Sequence, residues 1–176
     1  MTRIALVPVF WTACALLALA GFAKLHAPDS ARASLALIGI HVRSVAIRVI
    51  GATELALGAF AAIRPSPLTA GLVTGAYGAF MLTTLRLLAV DGSADCGCFG
   101  AASSTASRSH VILNAVACAA GIVAVVFPPP GVEWIVTRAP LIAAVLALGT
   151  AAATFAAYAA FTLFAPAWRA YGSRSA

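Results

Sequence analysis

Charge is what this chain has least of. Of its 176 residues, 9% are Asp, Glu, Lys or Arg and 62% are hydrophobic, whereas a soluble domain is typically about 25% charged. This composition excludes a soluble globular fold and predicts an integral membrane protein. The length suits one membrane domain over residues 1–176.

A basic cluster is also missing. The 11 Lys and Arg residues outnumber the 5 Asp and Glu residues, but they stand singly at the ends of apolar segments. Such spacing suits contact with lipid headgroups. We therefore predict a lipid bilayer as the environment and no nucleic-acid partner.

No clear Ala-x-Ala cleavage site follows the first apolar run, which extends from Ile4 to Ala23. The run is also longer than the core of a signal peptide, which has about 7–15 residues. We expect it to be retained as a membrane-spanning helix.

The chain offers five segments with the roughly 20 apolar residues that a spanning helix needs. They cover, in order, about 4–24, 45–63, 66–89, 109–127 and 139–166. In the first connection, Asp29 or Ser30 is expected to cap a short amphipathic helix that runs to Ile38 at the membrane interface. We predict an all-α, polytopic membrane bundle with a four-helix core at about 4–127 and a peripheral fifth helix at about 139–166.

Two cysteines define the most informative motif, Asp95-Cys96-Gly97-Cys98-Phe99-Gly100, between the third and fourth spans. Thiols two residues apart suit thiol–disulfide exchange or soft-metal chemistry. A disulfide between them closes a very small loop, so it constrains little chain entropy and is easily reduced. The structural alternatives are an inert disulfide or two thiols without a chemical role. Cys14 and Cys118 lie within helices, where buried cysteine usually behaves as a small apolar residue.

Intramembrane charges lie on the same side of the bundle as this loop, because alternating helix direction puts the first and third connections on one side. Glu54 lies about 9 Å in from that side and Arg86 roughly 6–8 Å, at about 1.5 Å per residue. We predict an ion pair of Glu54 with Arg86, or with Lys24 or Arg48. A structural salt bridge, or an Arg86 that only reaches the headgroups, is the alternative.

His110 and Asn114 begin the fourth span from this side and, four residues apart, share a helix face. An interfacial cap and a helix-bridging amide are their structural alternatives. The predicted site comprises Lys24, Glu54, Arg86, Cys96, Cys98, His110 and Asn114. A metal bound by the Cys pair needs further ligands, and His110 is the obvious nearby candidate. The usual zinc signature of two Cys-x-x-Cys pairs is absent, so the leading prediction has no metal in this site.

Several of these segments resemble the MauE/DoxX-type membrane redox family, named for the methylamine-utilisation protein MauE. They are Gly21-Phe22-Ala23-Lys24-Leu25-His26-Ala27-Pro28, Glu54 with Gly58, the Cys-Gly-Cys block, and the Ser-rich stretch before Asn114, over roughly 5–127. The resemblance implies a four-helix bundle with the general shape of vitamin K epoxide reductase and DsbB-like thiol oxidoreductases. It also implies extracytoplasmic thioredoxin-like partners and a role in disulfide maturation. A clear second Cys pair is missing, which leaves open whether the chain is itself an enzyme.

Orientation is predicted in opposite directions by two signals. The resemblance implies a Cys loop outside the bacterial cell membrane, whereas the positive-inside rule favours the cytoplasm. One side carries Arg3, Arg64 and Arg138, and the other carries Lys24, Arg32, Arg43, Arg48, Arg108, Arg169 and Arg174. We expect the loop outside, since disulfides persist better there and several of these basic residues belong to the interfacial segment and helix ends.

Three functions are compatible with the sequence. The leading hypothesis is a membrane thiol–disulfide redox protein that passes electrons to a quinone or to a separate thioredoxin-like protein. The second is a non-enzymatic accessory subunit of a membrane complex, with small residues on the fifth helix for close helix contact. The third is a soft-metal protein that binds Cu(I), for example, through Cys96, Cys98 and His110.

Overall fold

The computed structural model describes residues 2–90, 95–97, 99 and 105–162. The helices within these residues are α1 (Thr2–Ala5), α2 (Val7–His26), α3 (Pro28–Leu37), α4 (Ser44–Ile63), α5 (Pro67–Val90), α6 (Arg108–Val126), α7 (Val132–Arg138) and α8 (Pro140–Thr162). An isolated bridge between Asp95 and Thr105 is the other regular backbone pairing in this part of the chain. The predicted all-α class is confirmed.

Helices α2, α4, α5, α6 and α8 are each long and apolar enough to cross a bilayer. The predicted spans match the bounds of the first four to within about three residues, and the described part of the fifth span ends at Thr162. The predicted bounds agree with the observed ones because a bilayer core needs about 20 apolar residues per helix, which fixes the length of each span. The chain is a multi-pass membrane protein, as predicted.

Helix α2 occupies the centre of the bundle. It packs on α4, α8 and α6, and 56% of its apolar window is buried, against 17% to 28% for the other four spans. Phe10, Cys14 and Leu17 are among its fully buried side chains. The outer helices turn large apolar side chains outward, which suits a lipid environment.

Glycines bring the backbones of α2 and α4 into close contact. A Cβ atom on Gly21 would lie 2.5 Å from the Leu55 nitrogen, and one on Gly58 would lie 2.5 Å from the Cys14 carbonyl oxygen. Small residues at such a crossing allow the close helix packing that drives association in membranes. This crossing sets the last turn of α2 beside the middle of α4.

Helix α3 lies across the end of the bundle that α2 reaches. It contacts α2, α4 and α5, and it buries Ala31 and Ser34. The predicted cap at Asp29 or Ser30 was wrong, because Ala27 is the N-cap residue and Pro28 begins the helix. Proline suits that first position, where its missing N–H has no helical partner to lose.

A short helix, α7, was not predicted. It has 7 residues and buries Ile135, and it packs on α8 and α4. A helix of this length is too short for a spanning pattern and follows directly on a proline-rich turn. Its contacts therefore come from tertiary packing that the local sequence does not encode.

Candidate thiol site at one end of the bundle

A buried ion pair joins α2 to α4. Lys24 Nζ lies 2.7 Å from Glu54 Oε2, and the two side chains are 8% and 9% exposed. The same ammonium lies 4.6 Å from the centroid of the Phe80 ring. A carboxylate at this depth is costly unless it is paired. Lys24 was one of the three predicted partners of Glu54.

The pairing of Glu54 with Arg86, the partner named first from the sequence, was wrong. Arg86 is exposed on the outer side of α5, whereas Tyr77, Thr84 and Leu87 form the buried face of that helix. Arg48 is exposed on α4 as well. Counting residues predicts depth along a helix and not rotation about its axis, and both cations are exposed rather than turned to the interior.

Cys96 lies in the interior at the same end. It is 4% exposed, and its Sγ lies 3.7 Å from Thr84 Oγ1. Thr84 Oγ1 also lies 2.8 Å from the Phe80 carbonyl oxygen, to which it donates. A Cys96 thiol can therefore donate to Thr84, whereas a thiolate can accept the Thr84 proton instead. This hydroxyl can serve both protonation states of the sulfur.

The Cys loop is held against α3. Ser34 Oγ lies 2.8 Å from the Asp95 carbonyl oxygen and 3.0 Å from that of Ser30, and it can donate to either. Gly97 has φ of 69°, a left-handed conformation that other residues rarely adopt. A Cβ on Gly97 would also lie 3.0 Å from the Ala31 Cα. Both facts explain a glycine between the two cysteines.

A cavity of about 170 Å³ connects these features. Lys24 and Glu54 line it together with Cys96 and Gly97, and Ser34 adds a hydroxyl to the wall. The remaining lining side chains are mostly apolar, namely Ala31, Leu35, Ile47, Ile50, Ala79, Phe80 and Thr83. A cavity of this size with several polar groups can hold water. The sulfur of Cys96 and the buried ion pair thus share one small compartment.

His110 and Asn114 share the buried face of α6, as predicted, and each is 2% exposed. His110 Nδ1 lies 2.7 Å from Ser107 Oγ. The Asn114 side-chain nitrogen has no hydrogen-bond partner in the described part of the chain. Neither residue lines the cavity that holds Cys96. The structure therefore brings Lys24, Glu54 and Cys96 together and leaves the α6 pair apart from that cavity.

Two polar residues of the site were missed in the sequence. The hydroxyl groups of Thr84 and Ser34 each donate to the backbone carbonyl four residues earlier in the helix. This pattern is common in helices and by itself indicates no site. The small residues Ala31 and Gly97 were the available signal, because a close approach of the loop to α3 needs small residues on both sides.

The structure describes two further cysteines, Cys14 and Cys118. Cys14 is fully buried in the apolar core, and Cys118 packs against it, with its Sγ 3.7 Å from the Thr74 carbonyl oxygen. Cys98 lies outside the described residues. Among the residues that are described, no three His, Cys, Asp or Glu side chains are grouped so as to hold a metal ion. A metal set that includes Cys98 falls outside that observation.

Five apolar helices, with a buried ion pair and Cys96 in the same cavity at one end, define a polytopic membrane protein with a polar site there. The family model described as Methylamine utilisation protein MauE matches residues 1–128. The chain therefore belongs to the MauE family. The match runs from α1 to the end of α6 and includes all the predicted site residues. Comparison with curated proteins and with solved structures gives no significant match.

Proposed function

We propose that this chain is a membrane thiol–disulfide redox protein in which Cys96 and Cys98 cycle between dithiol and disulfide. The observation that carries the proposal is the shared cavity. Cys96 and the Lys24–Glu54 pair line the same space of about 170 Å³. A thiol needed only for packing would not require a buried cation and carboxylate beside it.

In the proposed reaction, a Cys96–Cys98 disulfide accepts two electrons from a partner dithiol. A partner thiolate attacks one sulfur and forms a mixed disulfide, and the second partner thiolate then attacks that bond. The partner gains a disulfide, the Cys96–Cys98 bond breaks, and the two protons of the partner thiols pass to Cys96 and Cys98. The same steps in reverse would reduce a partner.

Lys24 supplies the positive charge that favours a thiolate at Cys96. Glu54 holds the ammonium in place and balances its charge within the apolar bundle. Thr84 would donate to the thiolate in the manner described above. Glu54 and His110 are the groups that we propose for proton movement at this end of the bundle, and Asn114 for orientation beside His110.

The proposed setting is a bacterial cell membrane with the Cys loop on the extracytoplasmic side. The partner would be a separate thioredoxin-like protein, because an enzyme of that kind presents a reactive cysteine pair. A disulfide that cycles is better maintained outside the reducing cytosol. We treat the chain as one membrane domain in which α8 lies at the periphery of the bundle.

Thiol trapping in cells tests this function. A Cys96→Ser variant should accumulate a mixed disulfide with a partner through Cys98, and Cys98→Ser should do so through Cys96. Cys118→Ser is the matched control, since Cys118 is half-buried and packs against the apolar core. A membrane-impermeant thiol reagent on intact cells then reports the side of the loop. If neither single variant traps a partner and the double variant keeps the native phenotype, the redox function is wrong.

A second function, an accessory subunit of a larger membrane complex, is favoured by α8. Only 17% of its apolar window is buried, and it presents small residues such as Ala156 and Ala160 at exposed or half-buried positions. Small residues suit close contact with another helix. Retention of the phenotype in the double cysteine variant, together with its loss on substitution of Ala156 by Leu, would support this function instead.

A further inference from the structure

One face of α5 carries aromatic and hydroxyl side chains toward the thiol site. Tyr77, Phe80, Thr84 and Leu87 follow one another at intervals of three and four residues, the spacing that places side chains on a single face of a helix. Tyr77, Thr84 and Leu87 are buried, and Phe80 is half-buried. In the proposed function Thr84 faces the sulfur, and Phe80 stands one turn before it without a role.

The Phe80 ring lies against the ammonium of Lys24. Lys24 Nζ is 4.6 Å from the ring centroid and 2.7 Å from Glu54 Oε2. The electron-rich face of a ring attracts a cation at this distance, most strongly where water is excluded, and the Lys24 side chain is 8% exposed. Glu54 belongs to α4 and Phe80 to α5, so groups on two neighbouring helices hold the ammonium between them.

Tyr77 fixes the orientation of that ring. The two rings meet edge to face, with 5.7 Å between centroids and 85° between planes, an arrangement that aromatic pairs favour. Tyr77 is 3% exposed, and its hydroxyl donates to the Ala13 carbonyl oxygen of α2, 2.7 Å away. The position of the Phe80 ring is therefore set by a contact that is anchored on the same helix as Lys24.

Phe80 also reaches the sulfur through its backbone. Its carbonyl oxygen accepts the hydrogen bond of Thr84 at 2.8 Å, and Thr84 Oγ1 lies 3.7 Å from Cys96 Sγ. Phe80 lines the cavity that Cys96 and Lys24 share. The ring thus contacts the cation and the carbonyl group contacts the hydroxyl. A change to the ring leaves the carbonyl in place, so the two contributions can be separated by experiment.

We propose that Phe80 is a positioning residue of the thiol site and acts through Lys24. Its ring holds the ammonium at the wall of the cavity that contains Cys96, where the positive charge favours the thiolate. Without the attraction of the ring, the ammonium would be held by Glu54 alone, and the Cys96 thiol would ionise at a higher pH. The inference rests on the proposed thiol–disulfide function and adds a residue to it.

The position of the ammonium matters because charges of both signs face the sulfur. Within the described residues, Lys24 from α2 and Glu54 from α4 are the charged side chains that line the cavity, whereas α3 and α5 contribute uncharged ones. Asp95 directly precedes Cys96 in the loop. The two carboxylates oppose ionisation of the thiol and the ammonium favours it. A small movement of the ammonium therefore changes the balance at the sulfur.

Fluorination of the ring tests the proposal with little change in shape. Successive fluorine atoms withdraw electrons from the ring face and weaken its attraction for a cation. We expect the midpoint of the pH profile for alkylation of Cys96 by iodoacetamide to rise stepwise with mono-, di- and trifluorophenylalanine at position 80. The total rise should be about 0.5–1 pH unit, which is a roughly three- to tenfold lower rate at a fixed pH below the midpoint.

The measurement uses the reduced full chain in phospholipid nanodiscs, with Cys98→Ser so that the loop carries one thiol, and mass spectrometry of the loop peptide. The midpoint is compared rather than the rate, because limited access to the buried sulfur slows the reaction at every pH alike. Phe60 is the matched control, since it is 55% exposed on α4, and the same fluorinated residues there should leave the midpoint unchanged.

A variant without the ammonium shows whether the ring acts through Lys24. In Lys24→Met/Glu54→Met, fluorination at position 80 should leave the midpoint unchanged, since the ring has no cation to hold. A midpoint that stays constant along the series in the native background, or that moves equally for Phe60 and Phe80, overturns the proposal. A shift that persists in the double Met variant also overturns it, because the ring would then act on the sulfur without Lys24.

Failure of the two proposals can be told apart. If the single cysteine variants trap a mixed disulfide but fluorination at position 80 leaves the midpoint constant, the positioning role of Phe80 is wrong and the thiol function stands. If the midpoint rises stepwise but no mixed disulfide forms, the thiol function is wrong. Phe80 then still positions Lys24, beside a thiol that exchanges with no partner.

Discussion

Substitution of Lys24 by Met should destabilise the bundle strongly. The change leaves the Glu54 carboxylate buried without the ammonium that lies 2.7 Å away. Removal of one partner of a buried pair typically costs about 3–5 kcal/mol. We expect a loss of that size, because both side chains are less than one-tenth exposed. Simultaneous replacement by Lys24→Met and Glu54→Met removes both charges and should restore most of the stability.

The free energy of unfolding can be measured by titrating the protein in mixed micelles with sodium dodecyl sulfate and following its helicity by circular dichroism. Arg86→Met is the matched control, since it removes a cation of similar depth on an exposed face. We expect that control to lie within about 0.5 kcal/mol of the native protein, as surface substitutions usually do.

Three results would refute the reasoning. A loss below about 1 kcal/mol in Lys24→Met would mean that the carboxylate is solvated rather than buried. A large loss in Arg86→Met would mean that Arg86, the partner first predicted from sequence, is the true cation. A double variant no more stable than Lys24→Met would point to lost packing rather than lost pairing.

The remaining predictions concern glycines. Gly58→Ala should destabilise the protein by about 1–3 kcal/mol through overpacking. Gly75→Ala, with open space around the new Cβ, should be neutral or stabilising by up to about 1 kcal/mol. Equal effects of the two substitutions in the same titration would exclude the close α2–α4 crossing. Gly97→Ala should release the loop from α3 and speed maleimide labelling of Cys96 several-fold. Gly39→Ala also has a positive φ but open space, so it should leave that labelling rate unchanged; a similar increase in both variants would contradict the packing of the loop on α3.

The spans were predictable because the bilayer fixes how many apolar residues each helix needs. Their rotation was not. Hydrophobic residues cover every face of α5, so nothing in the sequence distinguishes the side that carries Arg86 from the side that carries Thr84. Rotation follows from which helices pack together, and that depends on contacts between residues far apart in the chain.

The candidate site was predicted in part for the same reason. Counting residues predicted that Glu54 and the Cys loop lie at the same end of the bundle, and the pairing with Lys24 was among the alternatives. The cavity that joins them was not predictable, since it depends on where α3 lies across α4 and α5. His110 and Asn114 were correctly assigned to one face of α6, but counting could not reveal that neither lines the cavity.

Lys24 lies near the end of α2, the first long helix, and its partner Glu54 lies on α4, the next long helix. This arrangement has a consequence for membrane insertion. Alone in the translocon, α2 presents an unneutralised ammonium, and α4 presents an unneutralised carboxylate. Each charge is compensated only when both segments are present. We therefore expect the two to partition into lipid as a helical hairpin, which an insertion assay would reveal as poorer integration of either segment expressed without the other.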